Sequence, residues 1–321
     1  MGRIHENTHD EENERMSKEN EHMSFRQTSP WAAVLAAFSL GCGSSSTGGT
    51  GNGNLSVVLE AEETISEGLD AGDGDENILD GFEVRFNRYI VAIGNVAMSQ
   101  VGGANPESSP VLAVADFTSL PSTQPELTAF NGIATGQYTS FGFETPPPSE
   151  DAININEVDT EDIDAMIANG WSYIIDGTIT QVSDGASKEF LIEADVPTVY
   201  SDCAVDGMEP GVNVAGNSTV DLTLHGDHIF FNGFPEEEGN VVRLAQWLWD
   251  IEDEDEDGVL TRSDFEAATD VGSLFPSPPG GAYELTGGPI SPISNAWDFI
   301  RAQLGTQGHI FGEGECEWSP L

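Results

Sequence analysis

Apolar and polar residues alternate through much of the chain beyond residue 54. Leu55-Ser56-Val57-Val58-Leu59-Glu60-Ala61-Glu62 reads as a strand. Phe82, Val84 and Phe86 alternate with Glu83 and Arg85, and Tyr89 to Ile93 continues as an apolar run. Further strands are expected over 110–117, 134–143, 171–182, 188–196 and 218–225, separated by clusters of Gly, Pro, Asn and Asp. Three segments carry helical spacing instead. Thr160–Asn169 places Ile163, Met166 and Ile167 on one stripe, has acids in its first turn, and is followed by Gly170. Asn240–Ile251 lines up Val241, Leu244, Leu248 and Ile251, with Trp247 beside them. Ser291–Leu304 opens with Ser-Pro, lines up Ile293, Trp297, Ile300 and Leu304, and meets Gly305. Residues 201–217 and Pro146-Pro147-Pro148 read as loops.

The N-terminal part has another pattern. Residues 31–40 form a run of about ten mostly apolar residues, too short to span a bilayer and suited to the core of a secretory signal. Arg26 precedes it, and Gly41-Cys42 follows directly. Gly41-Cys42 resembles the lipobox of bacterial lipoproteins, in which the Cys is lipidated and becomes the new N-terminus. Ser39 and Leu40 stand where that family usually has Leu and a small residue. The resemblance implies a lipid anchor on Cys42, with Gly43 in the position associated with export to the outer membrane. Residues 43–54, all Gly, Ser, Thr or Asn, have the composition of a flexible tether. Residues 1–22 make a poor signal start, and Met23 begins a better one.

Composition adds a strong bias in charge. Fifty-six acids face ten Lys and Arg, a formal net charge of −46. Such a polyanion repels phosphate backbones, which excludes nucleic acid as a partner, and attracts cations. With 36 Gly and 38% hydrophobic residues, the chain reads as β-rich with many turns.

Two constellations carry chemistry. In Asp253-Glu254-Asp255-Glu256-Asp257-Gly258-Val259-Leu260-Thr261-Arg262-Ser263-Asp264, acids alternate before a Gly, as oxygen ligands wrapped around a hard cation would require. The loop resembles that of the EF-hand superfamily. The resemblance implies Ca2+ held by Asp253, Asp255, Asp257, the carbonyl of Val259, Thr261 and Asp264, between an entering helix over 240–251 and an exiting helix capped at Ser263. Asp264 stands where many EF-hands have Glu, so binding in the weak range of roughly 10⁻⁴–10⁻³ M, a staple rather than a signal, is expected. A second acidic stretch, Asp70–Asp80, lacks Gly at the turning position and reads as a solvated loop.

The second constellation is His225-Gly226-Asp227-His228 after the strand over 218–225, with His309 in Gly308-His309-Ile310-Phe311-Gly312-Glu313-Gly314-Glu315-Cys316. Two His three residues apart with a distant third suit a transition metal, or else form polar corners of the fold. Asp227, Glu313 and Glu315 are nearby candidates. With Cys42 spent on lipid, Cys203 and Cys316 remain as a possible disulfide pair. Residues 200–318 resemble a group of uncharacterised bacterial lipoproteins of the kind found in myxobacteria, which carries no known activity. No nucleophile elbow, phosphate loop or zinc-protease helix is present.

The expected protein is mainly β with helices (α+β). Residues 1–42 form an extension and signal, 43–54 a tether, 55–200 a β-sandwich-like domain, and 201–321 a helical EF-hand-like segment packed on it. The leading expectation is a calcium-binding, lipid-anchored protein of the cell envelope with a protein or glycan ligand and no catalytic role. The alternatives are a transition-metal protein using His225, His228 and His309, and a secreted carbohydrate-active enzyme.

Overall fold

The long strands form where alternation is strongest, and hydrogen bonds join them into one sheet. The computed structural model describes residues 51–74, 76–205, 207–234, 241–278 and 281–321. In the first half of the chain the strands are β1 (Asn52–Leu59), β2 (Phe82–Gln100), β3 (Ala104–Ser108), β4 (Leu112–Asp116), β5 (Glu126–Ala134), β6 (Gly136–Tyr138), β7 (Ser140–Thr145) and β8 (Ile153–Asn154). The second half adds β9 (Tyr173–Gln181), β10 (Ser187–Ala194), β11 (Thr198–Ala204), β12 (Val212–Val214), β13 (Asn217–Leu224), β14 (Val259–Leu260), β15 (Gly308–Ile310) and β16 (Gly314–Pro320). The helices are α1 (Glu63–Ser66), α2 (Thr160–Asn169), α3 (Gln246–Asp250), α4 (Arg262–Ala267), α5 (Val271–Leu274) and α6 (Ala296–Leu304).

The expected sandwich of separate sheets is replaced by a continuous path, in the order β14-β10-β9-β2-β7-β11-β16-β15-β13-β1-β5, with β3, β4 and β8 attached to one side. The result is a mixed α/β fold with a large multi-stranded sheet and C-terminal helices. Strand β2 makes the path continuous. Its first half pairs with β9, and its second half pairs with β7 and β3. The register slips between Phe86 and Arg88 and again between Gly94 and Ala97, so the strand bends as it passes from one partner to the next. Gly94 is required at that bend, because a Cβ there would lie 2.2 Å from the Val111 carbonyl oxygen.

Most pairs are antiparallel. Strand β1 runs parallel to β13, from Asn54 opposite Asn217 to Leu59 opposite Leu222. Residues 52–54, expected in the tether, are already part of this strand. The last strand, β16, lies inside the sheet between β11 and β15.

The main core lies on one face and draws on both expected segments. Phe82, Tyr89, Phe143 and Tyr200 from the strands join Trp247, Phe265, Phe299 and Leu304 from the C-terminal helices. On the opposite face α2 covers a smaller cluster that includes Ile90, Ala92, Ile174 and Met166. Helix α2 has the expected bounds and ends on Gly170 in the left-handed region (φ 71°). Among the described residues no helix is long and apolar enough to cross a membrane. Cys42, the signal over 1–42 and most of the tether lie outside the described residues.

Candidate metal centre

Strand β13 delivers the first ligand. Val220, Leu222 and Leu224 face the core, and the strand then runs into a 3₁₀ turn, Gly226–Phe230. His225 ends the extended backbone, and the tight turn brings His228 round to the same side. His309 arrives from the far end of the sequence, at the middle of β15, which pairs antiparallel with β13 so that Thr223 opposes His309. Gly308 lets β15 approach closely, because a Cβ there would lie 2.5 Å from the Tyr200 ring.

The three imidazoles converge. The His225 and His309 rings stack with centroids 4.0 Å apart, and His228 stands edge-on to both, 5.6 Å from His225 and 5.1 Å from His309. One ring nitrogen from each lies within 4.8 Å of the others, and all three residues are buried.

Neighbouring groups set the protons. His225 Nε2 lies 3.0 Å from the Gly312 carbonyl oxygen, which can only accept, so Nε2 carries the hydrogen. His228 Nδ1 lies 2.9 Å from the Thr306 hydroxyl. That hydroxyl donates its own hydrogen to the Gln303 carbonyl at 2.8 Å, so it accepts from His228 Nδ1. In the neutral rings the lone pairs therefore sit on Nδ1 of His225 and Nε2 of His228. Fixing one nitrogen to present the other is how protein scaffolds prepare metal ligands. Thr306 and Gly312 have no signal in the sequence that marks them. They matter only because the fold places them against the rings.

Burial, together with the charges that His225 and His228 would carry, holds His309 well below the usual imidazole range. In the unfolded chain the same side chain takes up a proton below about pH 6.5. The unfolded state then binds more protons than the folded one. Metal-free stability should therefore drop as pH falls through that region, by up to about 1.4 kcal/mol per pH unit. Chemical denaturation at pH 7.5 and 5.5 checks this, and the dependence should flatten in His309→Gln. An unchanged slope in that variant would assign it to other groups.

A second layer surrounds the rings. Asp227, buried between the two His of the turn, is gripped by Arg243, whose Nε and Nη2 lie 2.6 and 2.5 Å from Oδ2. Arg243 also lies over the Phe231 ring, which packs on His228. Glu62 Oε1 lies 3.9 Å from His225 Nε2. Burial raises the Glu62 pKa, and the nearby His225 partly offsets this.

The expected calcium centre is overturned. The buried, convergent ligand set consists of imidazoles, which suit transition metals, whereas calcium takes oxygen ligands. The 253–264 loop also lacks the flanking helices of an EF-hand. Helix α3 spans five residues and α4 six, and β14 between them pairs with β10. Asp253, Asp255 and Asp257 do gather at the surface, but Asp253 Oδ2 accepts from Gly258 N–H and Asp257 Oδ1 from Val259 N–H. Val259 is paired opposite Glu189.

Asp264 completes the capping box of α4, whose N-cap is Thr261, in place of serving as a calcium ligand. Its Oδ2 accepts from the Thr261 N–H at 2.8 Å and the Thr261 hydroxyl at 3.0 Å, and its Oδ1 accepts from Glu254 N–H at 2.9 Å. Burial opposes the charge of this carboxyl, but those donors outweigh it and hold the group below the ordinary carboxylate range. The cap thus begins at Thr261, two residues before the expected Ser263. Asp264→Ala is expected to lower stability by about 1–2 kcal/mol, measured by urea denaturation at neutral pH. No loss would show that the cap is dispensable.

Cys203 and Cys316 form a disulfide across 113 residues, joining β11 to β16 beside the His309 hairpin. Among the other expected site residues, Glu315 lies opposite His309 on β16, and Glu313 sits in the turn between the two strands. Comparison with protein-family models, with curated proteins and with solved structures finds no match for this chain.

Proposed function

We propose that this protein binds and holds a transition-metal ion, a borderline divalent ion of the zinc or copper kind, through His225, His228 and His309. One observation carries the reading. Three buried imidazoles from two distant segments converge within 4.8 Å, and two of them have their protons directed outward by Gly312 and Thr306. Zinc meets imidazole nitrogen at about 2.0–2.1 Å, so three nitrogens around one ion must lie close together. Neutral rings are the form that a metal needs, and burial keeps His309 neutral.

Burial also favours retention over turnover. His225, His228 and His309 are 6%, 5% and 2% exposed, which leaves little room for a substrate beside the ion. We read the site as one for carrying or keeping metal.

The test is zinc titration of the purified chain, stripped with chelator, followed by elemental analysis after gel filtration. One equivalent of zinc per chain, with a rise in thermal midpoint, is the expected outcome. Ligand binding stabilises by about 2.7 kcal/mol at a hundredfold excess over Kd, so the shift should be plain. Uptake that persists when all three His are replaced by Ala would locate the metal elsewhere and end this reading.

A further inference from the structure

Asp227 is the one buried carboxylate in the 3₁₀ turn, and its two oxygens have different surroundings. Oδ2 is held by the Arg243 fork. Oδ1 is buried, and no hydrogen-bond donor among the described residues reaches it. It points at the His225 ring, 3.9 Å from Nδ1.

That distance is too long for a hydrogen bond. The proton of His225 is on the opposite nitrogen, where the Gly312 carbonyl requires it. Two buried acceptors, a carboxylate oxygen and an imidazole lone pair, therefore face each other. Uncompensated, a buried carboxylate oxygen costs on the order of a few kcal/mol. A cation between the two removes the cost from both. The reach is close to what a metal needs. Around a tetrahedral zinc with bonds of about 2.0–2.2 Å, a nitrogen and an oxygen ligand stand roughly 3.4 Å apart, so the observed 3.9 Å asks for a closure of about half an ångström on binding.

We infer that Asp227 is the fourth ligand of the metal centre, giving it through Oδ1 while Arg243 holds Oδ2. This rests on the metal reading above and sharpens it. Three nitrogens and one oxygen close a tetrahedral shell, as in sites that hold an ion, where a catalytic zinc keeps one position open. Arg243 then fixes the carboxylate and partly balances its charge in the metal-free protein.

Competition with a chromophoric chelator, on the full chain loaded with zinc, tests the assignment. Asp227→Asn should weaken zinc binding by about tenfold to a hundredfold or more, the range for groups that order or complete a metal shell, with its stoichiometry still one. Arg243→Met keeps the carboxylate and removes the group that orders it, so it should weaken binding by about tenfold, the low end of that range. It reports on the ligand even if Asp227→Asn does not fold. Equal affinities in Asp227→Asn and wild type would overturn the assignment. So would wild-type affinity in Arg243→Met, which would mean that the carboxylate Arg243 holds takes no part in binding. A wild-type chain that takes up no zinc is a different result and removes the triad itself.

Discussion

His309→Ala is expected to abolish tight zinc binding, with Kd rising by more than the roughly 10–100-fold typical of losing an outer-shell partner. His309 is the only one of the three His outside the 225–228 turn, so its loss leaves only groups from one short turn, which cannot surround an ion. Thr306→Val removes only the partner of His228 Nδ1 and should fall within that smaller range. The two variants separate a ligand from a support. Isothermal titration with zinc ranks them, and circular dichroism verifies the fold. Metal-free His309→Ala should stay folded, because the side chain lost is polar and the Leu222–Ile310 and Leu224–Gly308 pairings around it remain. Wild-type affinity in His309→Ala would be incompatible with the proposed centre.

Removing the disulfide in Cys203→Ser/Cys316→Ser should cost about 2–5 kcal/mol. The bridge closes a loop of 113 residues, and long loops gain most from closure in the chain-entropy account. The loss should also reach the metal. Strand β16 pairs with β15 through His309 opposite Glu315, one residue from Cys316. A looser β16 lets β15 move, and with it the third imidazole. Denaturation with and without one equivalent of zinc should therefore show a smaller metal-dependent gain in the double variant. An equal gain in both proteins would mean that the bridge supports the fold but not the site.

Much of the sheet was legible in the chain. Strands β4, β9, β10 and β13 fall within one or two residues of their expected ends, because β10 keeps a period of two and the others carry short apolar runs bounded by turn residues. Strand β15 was not legible. Three residues carry no period, and Gly308–Ile310 exists because β13 and β16 flank it. The start of α6 was misplaced for a local reason. Ser291-Pro292 has the composition of a helix opening, yet Asn295 takes the role, its side chain accepting from Asp298 N–H at 2.8 Å.

The site was half visible. The spacing of His225 and His228 was plain, but the partnership with His309, 84 residues from His225, depends on a strand register that composition cannot encode. The acidic loop misled in the opposite way. Its alternating carboxylates imitate a ligand list, while the backbone uses them to accept turn amides and to cap α4.

The interior position of β16 bears on how the sheet closes. Gly314–Pro320 fill the gap between β11 and β15 in the middle of the sheet. Until that strand docks, the chain holds two part-sheets with open edges, the kind of surface that pairs with other chains. His309 lies five residues before that strand. The step that joins the two part-sheets is thus the one that locks the third imidazole in place.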